Sequence, residues 1–229
     1  MKERGFISLQ FNETSWKVSL LGEEVILLQG PEDVEVEKIH DSSKAIEHLL
    51  GSQLWDIVPA YDSIALFTTL EVREVIHQLK KRAPSSTTAT IPSDTIVVPI
   101  CYELGDDLDY LSSHCNLSTE EMIARHLAGI YRAIFIGFTP GFIYADGLDS
   151  KLACPRKANP RIHIPAGSIG IGGEQTGIYS LDSPGGWNII GRTPQQLFDL
   201  RKKPPMSITV GTQFRFERIT KAQFEEWES

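Results

Sequence analysis

The sequence predicts an α+β protein in two parts, a small mixed domain followed by an all-β barrel or sandwich. Three observations carry this. The tract Arg82–Asp94, RAPSSTTATIPSD, is rich in Pro, Ser and Thr, lacks apolar periodicity and reads as a linker. Before it, short strand-like runs alternate with helical stripes. After it, one well-capped helix gives way to short apolar runs between Gly and Pro clusters, the pattern of antiparallel all-β architectures. The two domains are expected to span residues 1–88 and 89–229.

In the first part, WKVSLL (Trp16–Leu21) and EVILLQ (Glu24–Gln29) flank Gly22 and read as strands. Ile39, Ile46, Leu49 and Leu50 fall on one face of a helix. LWDIVPA and SIALFTT form a hairpin around Tyr61-Asp62. LEVREVIHQLKKR then puts Val72, Val75, Ile76 and Leu79 on a helical stripe, with Lys80, Lys81 and Arg82 at the end that favours cations. The second part opens on a strand, TIVVPICY. In LSTEEMIARHLAG, Ser118 and Glu121 make a capping box, Met122, Ile123, Leu127 and Ile130 form the apolar face, and Gly129 ends the helix. After YRAIFIGF, helical periodicity returns only at TKAQFEEW. No internal repeat and no low-complexity tract is evident.

The 229 residues carry a net charge of −8, with 41% apolar and 23% charged residues. That composition suits a soluble globular chain with a core. The acidic balance argues against nucleic-acid binding, which needs a basic surface. No window approaches the roughly 18 apolar residues of a membrane span, and MKERGFISLQ has charge but no apolar segment, so a cytoplasmic protein without a signal peptide is expected. Cys101, Cys115 and Cys154 are odd in number and form no CxxC pair, so free thiols are expected rather than disulfides or zinc. Cys154, beside Arg156, is the alternative candidate for a nucleophile. The histidines form no HxH or HExxH pattern, and no metal site is expected.

The densest chemistry lies between Gly137 and Arg192. CPRKANPRIHIPAGS places Arg156 and Arg161 each directly after a proline, which stiffens the backbone beneath each guanidinium. The pair suits a carboxylate or a phosphate; the alternative is two surface salt bridges. GIGGEQTGIY (Gly170–Tyr179) does not fit a dinucleotide or P-loop pattern, because strand and turn signals follow it. Its glycines suit tight turns or the close approach of another chain, with Gln175 and Thr176 at a loop tip. His126 shares a helical stripe with Met122 and Ile130, so it is either a hydrogen-bonded core residue or an acid/base at its border. His163, between Ile162 and Ile164, is expected on the opposite face of its strand from both. The acidic runs DGLDSK and GDDLD read as solvated turns, and no GxSxG elbow is present.

The stretch from GFTPGFIYADGL through CPRKANPRIHIPAGS and GIGGEQTGIY to SPGGWNIIGRTPQQLFD resembles the signature region of the KipI/allophanate hydrolase subunit 1 family. CYELGDDLDYL and the capped helix extend the resemblance upstream, and VSLLGEEVILLQG and LWDIVPAYDSIALF carry it over nearly the whole chain. Ile143 stands where the family usually has proline, Gly172 where alanine is common, and Leu127 where serine often follows the histidine.

The resemblance implies a small N-terminal α+β domain of ferredoxin-like type and a cyclophilin-like β-barrel. It implies one component of an ATP-dependent 5-oxoprolinase, opening 5-oxo-L-proline to L-glutamate with partner subunits A and C. ATP is used by the complex, and the isolated chain is not expected to act alone, though it can self-associate. The alternatives are an inhibitor of a histidine kinase, or a carboxyltransferase module served by biotin on another protein. On this resemblance the motifs are expected to gather at the mouth of the barrel. His126, Arg161 and Gln175 are expected in catalysis. Arg156, Tyr179, Trp187, Arg192, Thr176 and Phe138 are expected to bind substrate, Trp187 with a flat apolar face and Arg192 with an anion-binding fork. The same motifs can instead build the interface with the C-type partner.

Overall fold

The computed structural model describes residues 6–81 and 95–228. The chain divides into two compact units, Met1–Thr90 and Ile91–Ser229. The linker tract 82–94 and the expected boundary at residue 88 lie outside the described residues.

The first unit runs β1 (Ile7–Phe11), β2 (Thr14–Leu21), β3 (Val25–Gln29), α1 (Val36–Leu50), β4 (Leu54–Pro59), β5 (Ser63–Thr68) and α2 (Val72–Lys81). The strands form one antiparallel sheet in the order β1-β2-β3-β5-β4. Asn12 and Glu13 both take positive φ between β1 and β2, the requirement of a two-residue I′ hairpin. Alternation puts Leu9, Trp16, Val18, Ile26, Leu28, Ile64 and Leu66 on one face, where Ile39 and Ile46 of α1 and Val75 and Leu79 of α2 complete a core. A ferredoxin-like chain runs βαββαβ. Here the edge beside β3 is filled by β2, from upstream of both helices, so that order holds only from β3 to α2.

The second unit begins with β6 (Ile96–Ile100), α3 (Leu108–Cys115) and α4 (Thr119–Ala128). It continues with β7 (Tyr131–Ile136), β8 (Ile143–Asp146), β9 (Arg161–Ile164), β10 (Ser168–Gly172) and β11 (Gln175–Ile178). Then come β12 (Ser183–Gly185), β13 (Asn188–Arg192), β14 (Gln213–Arg218) and α5 (Lys221–Glu228). Seven strands form a sheet in the order β13-β10-β11-β8-β7-β14-β6, antiparallel except for the β14–β6 pair. The two edges meet in a single rung: the Cys101 amide donates to the Arg192 carbonyl at 2.8 Å and the Arg192 amide to the Cys101 carbonyl at 3.0 Å. That rung closes the sheet into a barrel.

Val98, Ile100, Tyr131, Ala133, Ile143, Ala145, Ile169, Ile171, Ile178, Phe214 and Phe216 belong to the main core, which Met122 and Ile123 of α4 join. The capping box forms as expected: Glu121 N donates to Ser118 Oγ, and Ser118 N to Glu121 Oε2. Ile130 is not part of the helical face; the helix ends before it and it is 52% exposed. Outside the barrel, β9 and β12 make a two-stranded ribbon. Phe142, Ile164, Tyr179, Trp187 and Ile189 form a second, smaller core there, with Tyr144 against it.

Candidate functional site

The hairpin β10–β11 separates two sets of residues that the sequence groups together. Gly170 pairs with Gly177, Ile171 with Thr176, and Gly172 with Gln175. Directly paired residues share a face, and successive residues alternate. Ile169, Ile171, Thr176 and Ile178 therefore point into the barrel. Gly170, Gly172, Gln175 and Gly177 face outward. The outward glycines make a flat floor for the Trp187 indole: a Cβ on Gly172 would stand 2.8 Å from Trp187 Cδ2, and one on Gly177 2.9 Å from Phe142 Cζ and 3.1 Å from Trp187 Cζ3.

Inside the barrel, α4 delivers His126, which is 1% exposed. Its Nδ1 lies 2.7 Å from the Tyr102 hydroxyl and its Nε2 3.4 Å from Thr176 Oγ1, while Thr176 Oγ1 donates to the Gly170 carbonyl at 3.2 Å. Because the Thr176 proton is used on that carbonyl, Nε2–H donates to Thr176 and Nδ1 accepts from Tyr102. This network assigns the tautomer of a neutral ring. The ring stacks on Phe216 at 4.6 Å, and among the described residues no carboxylate faces it. Burial holds its pKa down at about 3 and pushes the Tyr102 phenol up. His126 and Thr176 are thus core residues, on the opposite side of the sheet from Gln175. The alternation of one strand thus places His126 and Thr176 inside the barrel and Gln175 on its outer face.

On the outer face, the Arg156 guanidinium sits over the Trp187 ring, 4.9 Å from its centre. Trp187 itself is only 4% exposed, enclosed by Arg156, the glycine floor and the aromatic rings of Phe142 and Tyr144. It supports the cation rather than offering a face to a ligand. Tyr179 is also buried, edge-on to Phe142. Burial raises its phenol to about 12, against the Trp187 amide and the charge of Arg156, which both favour the phenolate. Phe138 is the exposed aromatic of the set, 62% accessible at a φ of 73°, with its ring against Phe142. A positive φ in a bulky non-glycine residue is backbone strain at an exposed loop. Gln175 stands half-buried across from Gly172.

Arg161 has a different place. Its Nη1 and Nη2 donate to the two carboxylate oxygens of Asp107 at 2.7 and 2.8 Å. Lys157 Nζ reaches the same carboxylate at 2.7 Å. Burial pushes the Asp107 carboxyl up, but the donors of Arg161, Lys157 and the Ile189 amide outweigh it and hold the pKa below the usual value. Of the acids read as solvated turns, Asp107 is therefore a buried hub, and its partners 50 and 54 residues away left no local signal. Arg192 is at the barrel seam, roughly 16 Å along the strand from Trp187. Its Nε donates to the Ala166 carbonyl at 2.7 Å and its guanidinium covers Phe224. His163 is exposed and pairs with Asp182 at 3.2 Å; Ile162 beside it is exposed too, while Ile164 is buried. Cys154 is buried with its thiol pushed up by burial, unlike an activated nucleophile. Among the described residues no group of three or more His, Cys, Asp or Glu is placed to hold a metal, and no helix is long and apolar enough to cross a membrane.

Residues 16–208 match the family described as carboxyltransferase domain, subdomain C and D. The B subunit of 5-oxoprolinase from Bacillus subtilis is 31% identical over 233 residues, covering 93% of this chain and 96% of that protein. The protein of the same name from Escherichia coli O157:H7 is 35% identical over 183 residues, covering 79% of this chain and 81% of its own. Among solved structures, the urea carboxylase of Kluyveromyces lactis covers 98% of this chain with 24% of its own length, at a TM-score of 0.69 and 15% identity, a likeness of fold. The resemblance drawn from the Gly137–Asp199 motifs is borne out: this chain belongs to the carboxyltransferase domain family, subdomain C and D, alongside the bacterial proteins named as the B subunit of 5-oxoprolinase.

Proposed function

We propose that this chain is the B-type subunit of a 5-oxoprolinase, acting with A and C subunits to open 5-oxo-L-proline to L-glutamate in an ATP-dependent reaction. The relatives' names support the reaction. One observation supports this chain's part in it: Arg156 is held over Trp187 at the surface, with no hydrogen-bond or ion-pair partner for its guanidinium among the described residues. A guanidinium seated on an indole keeps its N–H donors at its rim, free for a planar acceptor. A carboxylate accepts two of them in parallel. 5-Oxoproline carries one carboxylate, and Arg156 binds it, with Gln175 on the same outer face as a hydrogen-bonding neighbour. The lactam end then extends toward the partner subunits, where the bond is broken.

The Gly170–Tyr179 stretch does not fit a nucleotide. It is a β-hairpin whose glycines underlie Trp187, and no helix begins there to receive phosphate. ATP is accordingly assigned to a partner subunit. His126, neutral and enclosed, moves no proton of the substrate.

Reconstitution with the A and C subunits tests this reading. Glutamate release from 5-oxoproline is expected from the complex with ATP and not from the chain alone. Arg156→Gln should leave assembly intact and raise KM about tenfold or more, since one charge-assisted contact contributes about 1.5–3 kcal/mol. An assembled complex that releases no glutamate would refute the reaction. Biotin-dependent carboxyl transfer by that complex would favour the carboxyltransferase alternative, which otherwise rests on likeness of fold.

A further inference from the structure

Asp107 has no part in the reading above, yet it is the most heavily bonded carboxylate near that face. It is 4% exposed, accepts three hydrogen bonds, two from Arg161 and one from the Ile189 amide at 2.7 Å, and forms an ion pair with Lys157 at 2.7 Å. Its own amide donates to the Ile189 carbonyl at 2.9 Å, so Asp107 is fixed to β13 before it grips anything else. The tract from Pro155 to Arg161 is anchored by backbone contacts at both ends, with Arg161 opposite Gly185 in the β9–β12 ribbon, and its cationic side chains are gathered by Asp107. Asn188 Nδ2 donates to the Pro155 carbonyl at 2.9 Å, and the Lys157 amide donates to the Gly186 carbonyl at 2.7 Å. Arg156 lies between those two anchored peptide groups. Lys157 and Arg161, the next cations along, are held through their side chains by Asp107.

We infer that Asp107 is a positioning residue: by pinning Lys157 and Arg161 it fixes the 155–161 tract against β13 and sets where Arg156 stands over Trp187. The inference rests on the reading of Arg156 as the carboxylate ligand. It also removes Arg161 from the substrate's own contacts, because both of its terminal nitrogens are engaged. The charged groups here are Lys157 and Arg161 against Asp107, with Asp106, the residue before Asp107, adding its negative charge near Arg161. Deleting the Asp107 charge makes the face more positive. If charge alone mattered, an anionic substrate would bind more tightly; if position matters, it binds more weakly. The two effects have opposite signs.

The test uses the reconstituted complex and Asp107→Asn, which keeps the shape and removes the charge. KM for 5-oxoproline is expected to rise about three- to tenfold, with kcat changed less than twofold. In an Arg156→Gln background the same substitution should add little, because it acts through Arg156. A KM that falls or stays level in Asp107→Asn, while Arg156→Gln raises it, overturns this inference and leaves the substrate reading standing. A KM indifferent to Arg156→Gln sinks the substrate reading itself. Should Asp107→Asn fail to assemble, Arg161→Lys keeps the charge but loses the two-pronged contact, and an unchanged KM there overturns the inference. Independently of activity, phenylglyoxal with peptide mapping should modify Arg156 severalfold faster than Arg161 in the native chain. Asp107→Asn should raise the Arg161 rate, and equal native rates would show that Asp107 pins nothing.

Discussion

His126 shows what a single buried ring does to the acid limb of stability. Its pKa of about 3 in the fold compares with 6.5 for an unperturbed imidazole. Below pH 6.5 the unfolded chain takes up a proton that the folded chain refuses, so this stability is present above that pH and is lost as pH falls. From pH 7 to pH 5 the loss from this residue is about 2 kcal/mol. His126→Gln is expected to be less stable at pH 7, since packing on Phe216 is lost, yet to lose about 2 kcal/mol less on going to pH 5. Urea unfolding at the two pH values reads the difference; parallel losses would contradict the neutral buried ring. The sequence placed His126 on an inward helical stripe but could not say that Tyr102 and Thr176, 24 and 50 residues distant, wait for both of its nitrogens. Long-range pairing of polar side chains leaves no periodicity to read, and Asp107 was hidden for the same reason.

Among the elements, those with strong local chemistry were legible. The Ser118–Glu121 box marked α4, and the Val75–Leu79 stripe with its terminal lysines marked α2. β1 was missed because it is five residues long and enters a turn built on Asn12 and Glu13 rather than glycine. α3 was missed because Leu111 is its one buried residue, too few to show a stripe. In GIGGEQTGIY the expected loop-tip residues Gln175 and Thr176 instead open β11, with the turn before them at Gly173 and Glu174, and the division into an inner and an outer face depends on register, which has no signature in the local sequence. That division makes a prediction for Gly172. An alanine there brings its methyl to 2.8 Å from Trp187 Cδ2 and 3.2 Å from Arg156 Cγ. Gly172→Ala is expected to cost about 1–3 kcal/mol by overpacking and to shift Trp fluorescence as the indole is lifted. An unchanged melting temperature and spectrum would mean that the floor has slack.

At the scale of the molecule, the two-part reading rests on a Pro/Ser/Thr tract between two kinds of periodicity, and the chain divides into the compact units Met1–Thr90 and Ile91–Ser229. Closure of the barrel was not readable, because a parallel β14–β6 pair and the Cys101–Arg192 rung join segments about a hundred residues apart. Each unit has its own hydrophobic cluster, one centred on Trp16 and Ile46, the other on Tyr131 and Phe214. A fragment of residues 91–229 is therefore expected to melt in a single cooperative transition with a β-rich circular dichroism spectrum. A broad, non-cooperative melt would show that the second unit depends on the first.

The turn at Gly173 and Glu174 carries a consequence for how this protein can change. Insertion or loss of one residue there would rotate the following strand by half a period. With an insertion, Thr176 would leave the histidine for the crowded place of Gly177 beneath Phe142 and Trp187 as Gln175 was driven into an apolar interior. Two unrelated tasks, sealing a core and dressing a surface, are thereby locked to one loop length, and tolerated variation at this hairpin should be in residue type and never in residue number.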